Sequence, residues 1–374
     1  MINKTVCFIC NLDNPFDIND IYYKGLGGSE TWVINMVMKL SEYYHIILFN
    51  QNNYTVTYSD FNKGIDIYPL DYLDRVCSYH YFEHVFFNRN IIDDYLNIFK
   101  KYDNCNNIHC IVHDLRLWKT YVFYINDINC ILTNDDINND EYLKSHLKKI
   151  FFMSDWHYDD NKIYNYDDEL ISIIGNGIDI PENISFINKD NSMLWSSCRE
   201  RGLDLFINKI MPKIINKIPD FKLNIAIYNN QQDLNELNSE HIQFLGSLSK
   251  QELYNEMQKH KVSFLPLNHW ETFCISALEH IINGTIFLSP FKYGLQTTFK
   301  YFKDIMLKDG NYEDNEYCEY VANEIIDKIN NYNKYINIQK ILYLYIKDNY
   351  SWESISHKFY NTIKLYEKDN SYYM

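Results

Sequence analysis

A chain of 374 residues is long for one core and comfortable for two domains. Hydrophobic residues make up 46% and aromatics 17%, with 34 Tyr and 22 Phe, which excludes wholesale disorder. The formal net charge of -15 repels phosphate backbones and anionic lipid, so nucleic acid and electrostatic membrane docking are poor readings for partners. The abundant Asn, Ile, Lys and Tyr share adenine- and thymine-rich codons, a bias that points to a low-GC genome. Nine cysteines are scattered without the regular spacing of a disulfide framework or zinc site and read as reduced thiols. The first fourteen residues hold only a strand-length apolar run, and no apolar stretch reaches the length needed to span a bilayer. A cytoplasmic protein is expected, in a host cytoplasm if the genome is that of a large DNA virus.

In chain order, short apolar runs alternate with amphipathic stretches. Strands are expected over residues 6–9, 46–49, 84–87, 108–112, 130–133 and 150–153, with a helix over 28–44. The series closes on a strand at 171–174 followed by Gly175-Asn176-Gly177-Ile178-Asp179-Ile180-Pro181, a sharp loop. A second series follows: strands over 193–196, 223–228, 242–245, 262–265 and 286–288, and helices over 203–215, 252–260 and from about Thr272. This is the βαβ rhythm of parallel sheets covered by helices. Helices are expected again over 316–329 and 336–346, and Ser351 caps a last one that opens on Trp352. The reading is an α/β chain of two similar domains, 1–176 and 177–348, with a terminal segment, 349–374, that needs something to pack on.

The densest chemistry lies in Trp270-Glu271-Thr272-Phe273-Cys274-Ile275-Ser276-Ala277-Leu278-Glu279. Glu271 falls at the end of a strand, where open α/β sheets bind ligands, and Glu279 lies two turns into the following helix. Between them the first helical amides are free to bind an anion. A sugar nucleotide has sugar hydroxyls, a diphosphate and a ribose diol in that order; two solvated glutamates are the plain alternative.

Gly25-Leu26-Gly27-Gly28-Ser29-Glu30 opens the first helix, either as a phosphate-approaching loop or as an ordinary cap. It lacks the spacing of a dinucleotide turn, and no Gly-Lys-Ser/Thr follows it. His113 comes directly after the 108–112 strand, where it either orients a hydroxyl or serves the structure. Arg199-Glu200-Arg201-Gly202 is a dense basic spot that suits a diphosphate or pairs with Glu200 and Asp204 at the surface.

Taken in order, these pieces resemble the retaining glycosyltransferases of the GT-B fold, specifically the large family 4, also called glycosyltransferase group 1. The resemblance runs through the Gly27-Gly28 loop, His113, Phe152-Met153-Ser154-Asp155-Trp156, the hinge Asn176-Gly177-Ile178-Asp179, Arg201-Gly202-Leu203, the loop Phe244-Leu245-Gly246-Ser247-Leu248-Ser249, the Glu271/Glu279 pair and Ser351-Trp352. It implies two Rossmann-like domains facing across a cleft, the first for the acceptor and the second for a nucleotide sugar, with a C-terminal helix returning to the N-terminal domain.

The resemblance implies that Glu271 holds hydroxyls of the transferred sugar and that Glu279 binds the ribose. The helix start from Thr272 to Ile275, through the amides of Phe273 and Cys274, would hold the diphosphate together with Arg201 and Arg199. Gly28, with Gly27 before it, would approach the diphosphate from the opposite domain, His113 would lie beside the donor sugar near the acceptor, and Gly246, Ser247 and Leu248 would seat the base. His113, Glu271 and Arg201 are the expected catalytic residues. The partners would be a nucleoside-diphosphate sugar and a glycan, glycolipid or small-molecule acceptor. No cofactor and no metal are expected, and no Asp-x-Asp triplet occurs.

The chain departs from the family pattern at Cys274, where Gly is usual, at Arg201, where Lys is common, at His280, where Ala follows the glutamate, and where Gly-Gly-x-x-Glu appears only as Tyr293-Gly294-Leu295-Gln296. The alternatives are an inactive sugar-nucleotide or glycan-binding protein of the same fold and a sugar-nucleotide epimerase.

Overall fold

The structure is a computed structural model and describes residues 4–12, 15–118, 131–227 and 234–367. The strands are β1 (Thr5–Cys10), β2 (His45–Asn50), β3 (Val56–Tyr58), β4 (Ile65–Pro69), β5 (Phe82–Asn88), β6 (Cys105–Val112), β7 (Leu147–Phe152), β8 (Ile171–Ile173), β9 (Asp190–Trp195), β10 (Lys222–Ala226), β11 (Ile242–Gly246), β12 (His260–Phe264) and β13 (Ile286–Leu288). Helices of eight residues or more among the described residues are α1 (Gly28–Leu40), α2 (Asp93–Tyr102), α3 (Lys250–Met257), α4 (Ile275–Ile282), α5 (Asn315–Asn330), α6 (Tyr332–Tyr350) and α7 (Trp352–Lys364). No helix among the described residues is long and apolar enough to cross a membrane.

The chain forms two compact units. The first comprises Met1–Ile18, Ser29–Asn176 and Trp352–Met374, and the second Asn19–Gly28 and Gly177–Ser351. In the first, eight strands run in the order β3-β4-β2-β1-β5-β6-β7-β8, parallel except where β3 pairs antiparallel with β4. All seven residues of β5 are buried, as expected of a central parallel strand covered on both faces. Helix α7 supplies part of that cover. Its Phe359 ring lies 5.2 Å from Phe86, 4.7 Å from Phe151 and 5.3 Å from Trp32. Burying such a ring contributes about 2 kcal/mol, which gives the terminal segment the packing partner it needs.

In the second unit five parallel strands run in the order β11-β10-β9-β12-β13. This is the 3-2-1-4-5 order of a Rossmann-like sheet, whose direction of winding reverses between β9 and β12. Loops leaving the carboxyl ends of those two strands therefore emerge side by side.

Several expectations need correction. The helix read over 203–215 contains a π-helical turn, Phe206–Ile210, between short α-helical pieces. Pro212 follows, with no N–H to donate and a ring that crowds the preceding turn. The helix read over 252–260 is α3, ending at Met257, and His260 opens β12 instead. The helix expected from Thr272 begins at Ile275. Strands β3 and β4 were not expected, and the 28–44 helix stops at Leu40. The 130–133 strand begins outside the described residues, and Ile131 makes only an isolated bridge to Trp118. Tyr228, read as the end of β10, also lies outside them.

Two local features hold α3 and α4 in place. The ammonium of Lys189, only 8% exposed, donates to the carbonyls of Gln258 at 2.7 Å, Asn283 at 2.9 Å and Met257 at 3.4 Å. It thus ties the C-terminal ends of both helices, where the helix dipole favours a cation. Burial pushes the Lys189 pKa down to about 7. Cys274, the residue before α4, has φ 74° and ψ 73°, a left-handed conformation, and Tyr293 has φ 54°. Both hold a backbone conformation that glycine adopts without steric cost and an L side chain does not.

Lys189→Met should destabilise the second unit by about 2–3 kcal/mol in urea unfolding, since it strands buried carbonyls. Its folded pKa lies below the unfolded value, so the unfolded chain binds more protons between about pH 7 and the usual lysine range, and stability rises with pH there. That rise should flatten in the variant. Cys274→Val, which puts a β-branch in a left-handed position, should cost about 2 kcal/mol, whereas Cys274→Gly should stay within about 1 kcal/mol of wild type. Equal melting temperatures for the two Cys274 variants would contradict the strain assignment.

Candidate active site

The site in the second unit is built on the β9/β12 junction. After β9 the chain makes a 3-10 turn, Arg199–Arg201, ending at Gly202 with φ 107°. A Cβ on Gly202 would come 2.5 Å from Pro266 Cγ, so the Arg201 turn presses directly on the loop that leaves β12. That loop carries Glu271. The Glu271 carboxylate accepts from Arg201 Nη1 at 2.7 Å through one oxygen, and through the other from the amides of Cys274 at 3.2 Å and Phe273 at 3.5 Å. Residues 70 positions apart in sequence thus meet because their strands are neighbours.

The amides of Phe273 and Cys274, expected to be free, are therefore engaged by Glu271 itself. Arg199 also departs from the expectation. It pairs with Asp204 at 3.0 Å and with Glu236 at 3.1 Å, the surface salt bridging that the sequence left open as the alternative for this spot. Of the expected set, the fold brings Arg201, Phe273 and Cys274 into direct contact with Glu271.

Glu279 lies in α4 and is 5% exposed. Its partners were missed by sequence reasoning. Lys250 donates to Glu279 Oε1, and the Tyr254 hydroxyl lies 3.5 Å from the same oxygen and 3.2 Å from the Asp179 carbonyl. Burial pushes the Asp179 carboxyl above its ordinary value; Lys250 pulls against this and Glu279 adds to it. A signal for Lys250 was present. Ser249-Lys250-Gln251-Glu252 is a capping box, with Ser249 accepting from the Glu252 amide and the Glu252 side chain from the Ser249 amide. It puts Lys250 at the first position of α3, following the Gly246-Ser247-Leu248 loop that closes β11.

Gly294 is a second missed residue. Its amide donates to the Glu271 carbonyl at 2.8 Å, and a Cβ there would come 2.4 Å from the Thr272 carbonyl oxygen. The glycine permits this approach and braces the main chain of Glu271. His280, beside Glu279, is fully buried and bonds Ser196 Oγ at 2.8 Å; burial pushes its pKa down to about 3, so it ties α4 to the end of β9 as a neutral group. Gly28, expected to approach from the N-terminal domain, falls instead in the Asn19–Gly28 segment of the second unit, and a Cβ on it would lie 3.1 Å from Ile275 Cδ1. Gly27 precedes it just outside α1.

His113 belongs to the first unit and follows β6. Its ring sits edge-on to Trp32 with centroids 5.5 Å apart. Beside it, Arg89 makes a two-pronged ion pair with Asp114, at 2.9 and 2.5 Å. Burial, then the nearby Arg89 cation and His157, push the His113 pKa down to about 3, so the imidazole is neutral at physiological pH. Among the described residues no group of three or more His, Cys, Asp or Glu side chains is placed to hold a metal ion.

No protein-family model matches the chain, and no curated protein matches its sequence. Solved structures do resemble it. Sucrose-phosphate synthase from Thermosynechococcus elongatus has a TM-score of 0.67 at 12% identity, over 97% of this chain and 98% of that one. Anabaena HepE, solved in complex with UDP-glucose, has a TM-score of 0.65 at 12% identity, over 96% and 99% of the two chains. The pneumococcal O-GlcNAc transferase GtfA, solved with UDP and GlcNAc, has a TM-score of 0.66 at 11% identity, over 99% and 100%. At such identities the likeness is one of fold, and the fold is GT-B, built from two Rossmann-like units.

Proposed function

We propose that the chain is a retaining glycosyltransferase that moves a sugar from a nucleoside-diphosphate sugar to a hydroxyl of a glycan, glycolipid or small molecule, without a metal. The observation that carries this reading is the contact of Glu271 with Arg201 and with the amides at the start of α4, eight residues ahead of the buried Glu279. A guanidinium and a helix start at one point suit a diphosphate, and two acidic side chains flanking them suit the hydroxyls on either side of it. The neighbours that hold UDP-glucose, or UDP with GlcNAc, support the same class of donor.

In this reading Glu271 orients the transferred sugar and Glu279 the ribose, with Gly246, Ser247 and Leu248 beside the base. Arg201 and the amides of Phe273 and Cys274 take up the charge that develops on the departing diphosphate, the work a metal performs in other transferases. Thr272 and Ile275 frame that helix start, and Gly27 and Gly28 give a phosphate room. Arg199 acts through its acidic partners in shaping the turn. His113, neutral, serves as a hydrogen-bonding group for a sugar or acceptor hydroxyl. Positioning and leaving-group stabilisation supply most of the catalysis.

An inactive binding protein of the same fold is the second reading, prompted by Cys274 and Gln296. The left-handed backbone at Cys274 counts against it, because the family's glycine shape persists there.

Incubation with a panel of sugar nucleotides and acceptors should release nucleoside diphosphate; tight binding without release under every acceptor would favour the inactive protein. Glu279→Ala should weaken nucleotide binding about tenfold or more, the loss of a charge-assisted contact, while Glu271→Ala should mainly lower turnover. His113→Ala should reduce turnover more than donor affinity, and unchanged kinetics in all three would sink the site assignment. Saturating chelator should leave the rate unaltered, and a loss restored by a divalent cation would refute the metal-free scheme.

A further inference from the structure

We propose that Glu271 is also the group that expels the spent nucleoside diphosphate, by taking the place of its phosphate. The inference rests on the donor-site reading above. The Glu271 carboxylate occupies the cradle that reading assigns to the diphosphate. It accepts from Arg201 at 2.7 Å and from the Cys274 and Phe273 amides at 3.2 and 3.5 Å. All three are donors, and a carboxylate offers them what a phosphate oxygen offers: an anionic acceptor.

The anchoring of the loop makes this an exchange of side chain only. The Gly294 amide holds the Glu271 carbonyl at 2.8 Å, and the Gly294 backbone is packed so closely on Thr272 that a Cβ there would come 2.4 Å from its carbonyl oxygen. The Glu271 main chain therefore stays while its side-chain torsions turn. A diphosphate that enters the cradle displaces the carboxylate and places two anions near one guanidinium. With an intact donor, the displaced carboxylate accepts hydrogen bonds from hydroxyls of the attached sugar. After transfer those hydroxyls leave with the product. The carboxylate is then left without compensating donors beside a like charge, and its return to Arg201 and the amides displaces the bare diphosphate. Glu271 thus discriminates the donor from its own by-product.

Isothermal titration of wild type, Glu271→Gln and Arg201→Met with UDP, GDP and ADP, and with their glucose and N-acetylglucosamine conjugates, tests the idea. For the base that binds, Glu271→Gln should hold the bare diphosphate about tenfold more tightly than wild type, roughly the worth of one charge-assisted contact. The conjugate should gain less, so the preference for donor over by-product shrinks. Wild type itself should bind at least one conjugate more tightly than the bare diphosphate, an outcome that needs no variant. Glu271→Ala, checked by melting temperature, carries the same test if the glutamine variant is unstable. If Arg201→Met weakens the bare diphosphate but Glu271→Gln binds it no better than wild type, expulsion by Glu271 is wrong and the donor site stands. Equal wild-type affinity for every conjugate and its bare diphosphate also overturns it. No binding of any nucleoside diphosphate to wild type or variant removes the donor-site reading and this inference together.

Discussion

The pairing of β12 with β9 is the constraint on which the site depends. Those strands carry Val262 against Met193 and His260 against Asp190, although the chain between them in sequence includes β10, β11 and α3. The reversal of strand order at that junction lets the two loops share one edge of the sheet. Everything polar then follows locally. Gly202 gives the Arg201 turn its close approach to Pro266, Gly294 braces Glu271 from the other side, and the left-handed Cys274 turns the chain so that its amide and that of Phe273 reach the Glu271 carboxylate. Losing the β9–β12 register would separate Arg201 from Glu271 without altering either loop.

The second layer of organisation is the pair of helices behind the site. Helix α4 carries Glu279 and His280, and α3 carries Lys250 and Tyr254. Lys189 grips the far ends of both helices through carbonyls, while Lys250 and Tyr254 meet Glu279 nearer the site. The buried ammonium is a costly way to join two helix ends, since desolvation works against its charge. It is nonetheless directional, because each donor finds a carbonyl. An apolar residue in its place would fill the volume but leave the carbonyls unmet.

Much of this was legible in the sequence, for definite reasons. The central strands are buried on both faces, so they read as continuous apolar runs, whereas Glu271, read at a strand end, lies in the loop between β12 and α4, and Glu279 sits about one turn into α4 rather than two. Strands β3 and β4 escaped because Thr57 and Asp66 interrupt short runs and β3 is a three-residue edge strand. The π-helical turn at Phe206–Ile210 escaped because its apolar spacing is close to that of an α-helix, and only Pro212 marks the irregularity. The pairing of Glu271 with the amides of Phe273 and Cys274 escaped for a different reason. Sequence motifs show which groups suit a ligand, and they do not show which of those groups pair with one another. Buried donors find acceptors, and the nearest anionic one was in the motif itself.

In so acidic a protein, selective binding of an anion has to come from local groups. The formal charge is -15, so long-range attraction for a nucleotide is weak and the local cations must do the work. In the second unit Arg201 and Lys250 each lie against a glutamate of the site, Glu271 and Glu279. An unpaired arginine at a helix start would accept free phosphate or sulfate as readily as a nucleotide. With each cation already satisfied, a simple anion must break an ion pair and offers the released carboxylate nothing in return. A nucleotide sugar brings two sets of hydroxyls as well as the diphosphate, and so provides new partners for both carboxylates it displaces. Under the proposed reading, the internal ion pairs act as a filter: they lower affinity for every anion and leave the smallest penalty on the ligand whose hydroxyls match the spacing of Glu271 and Glu279.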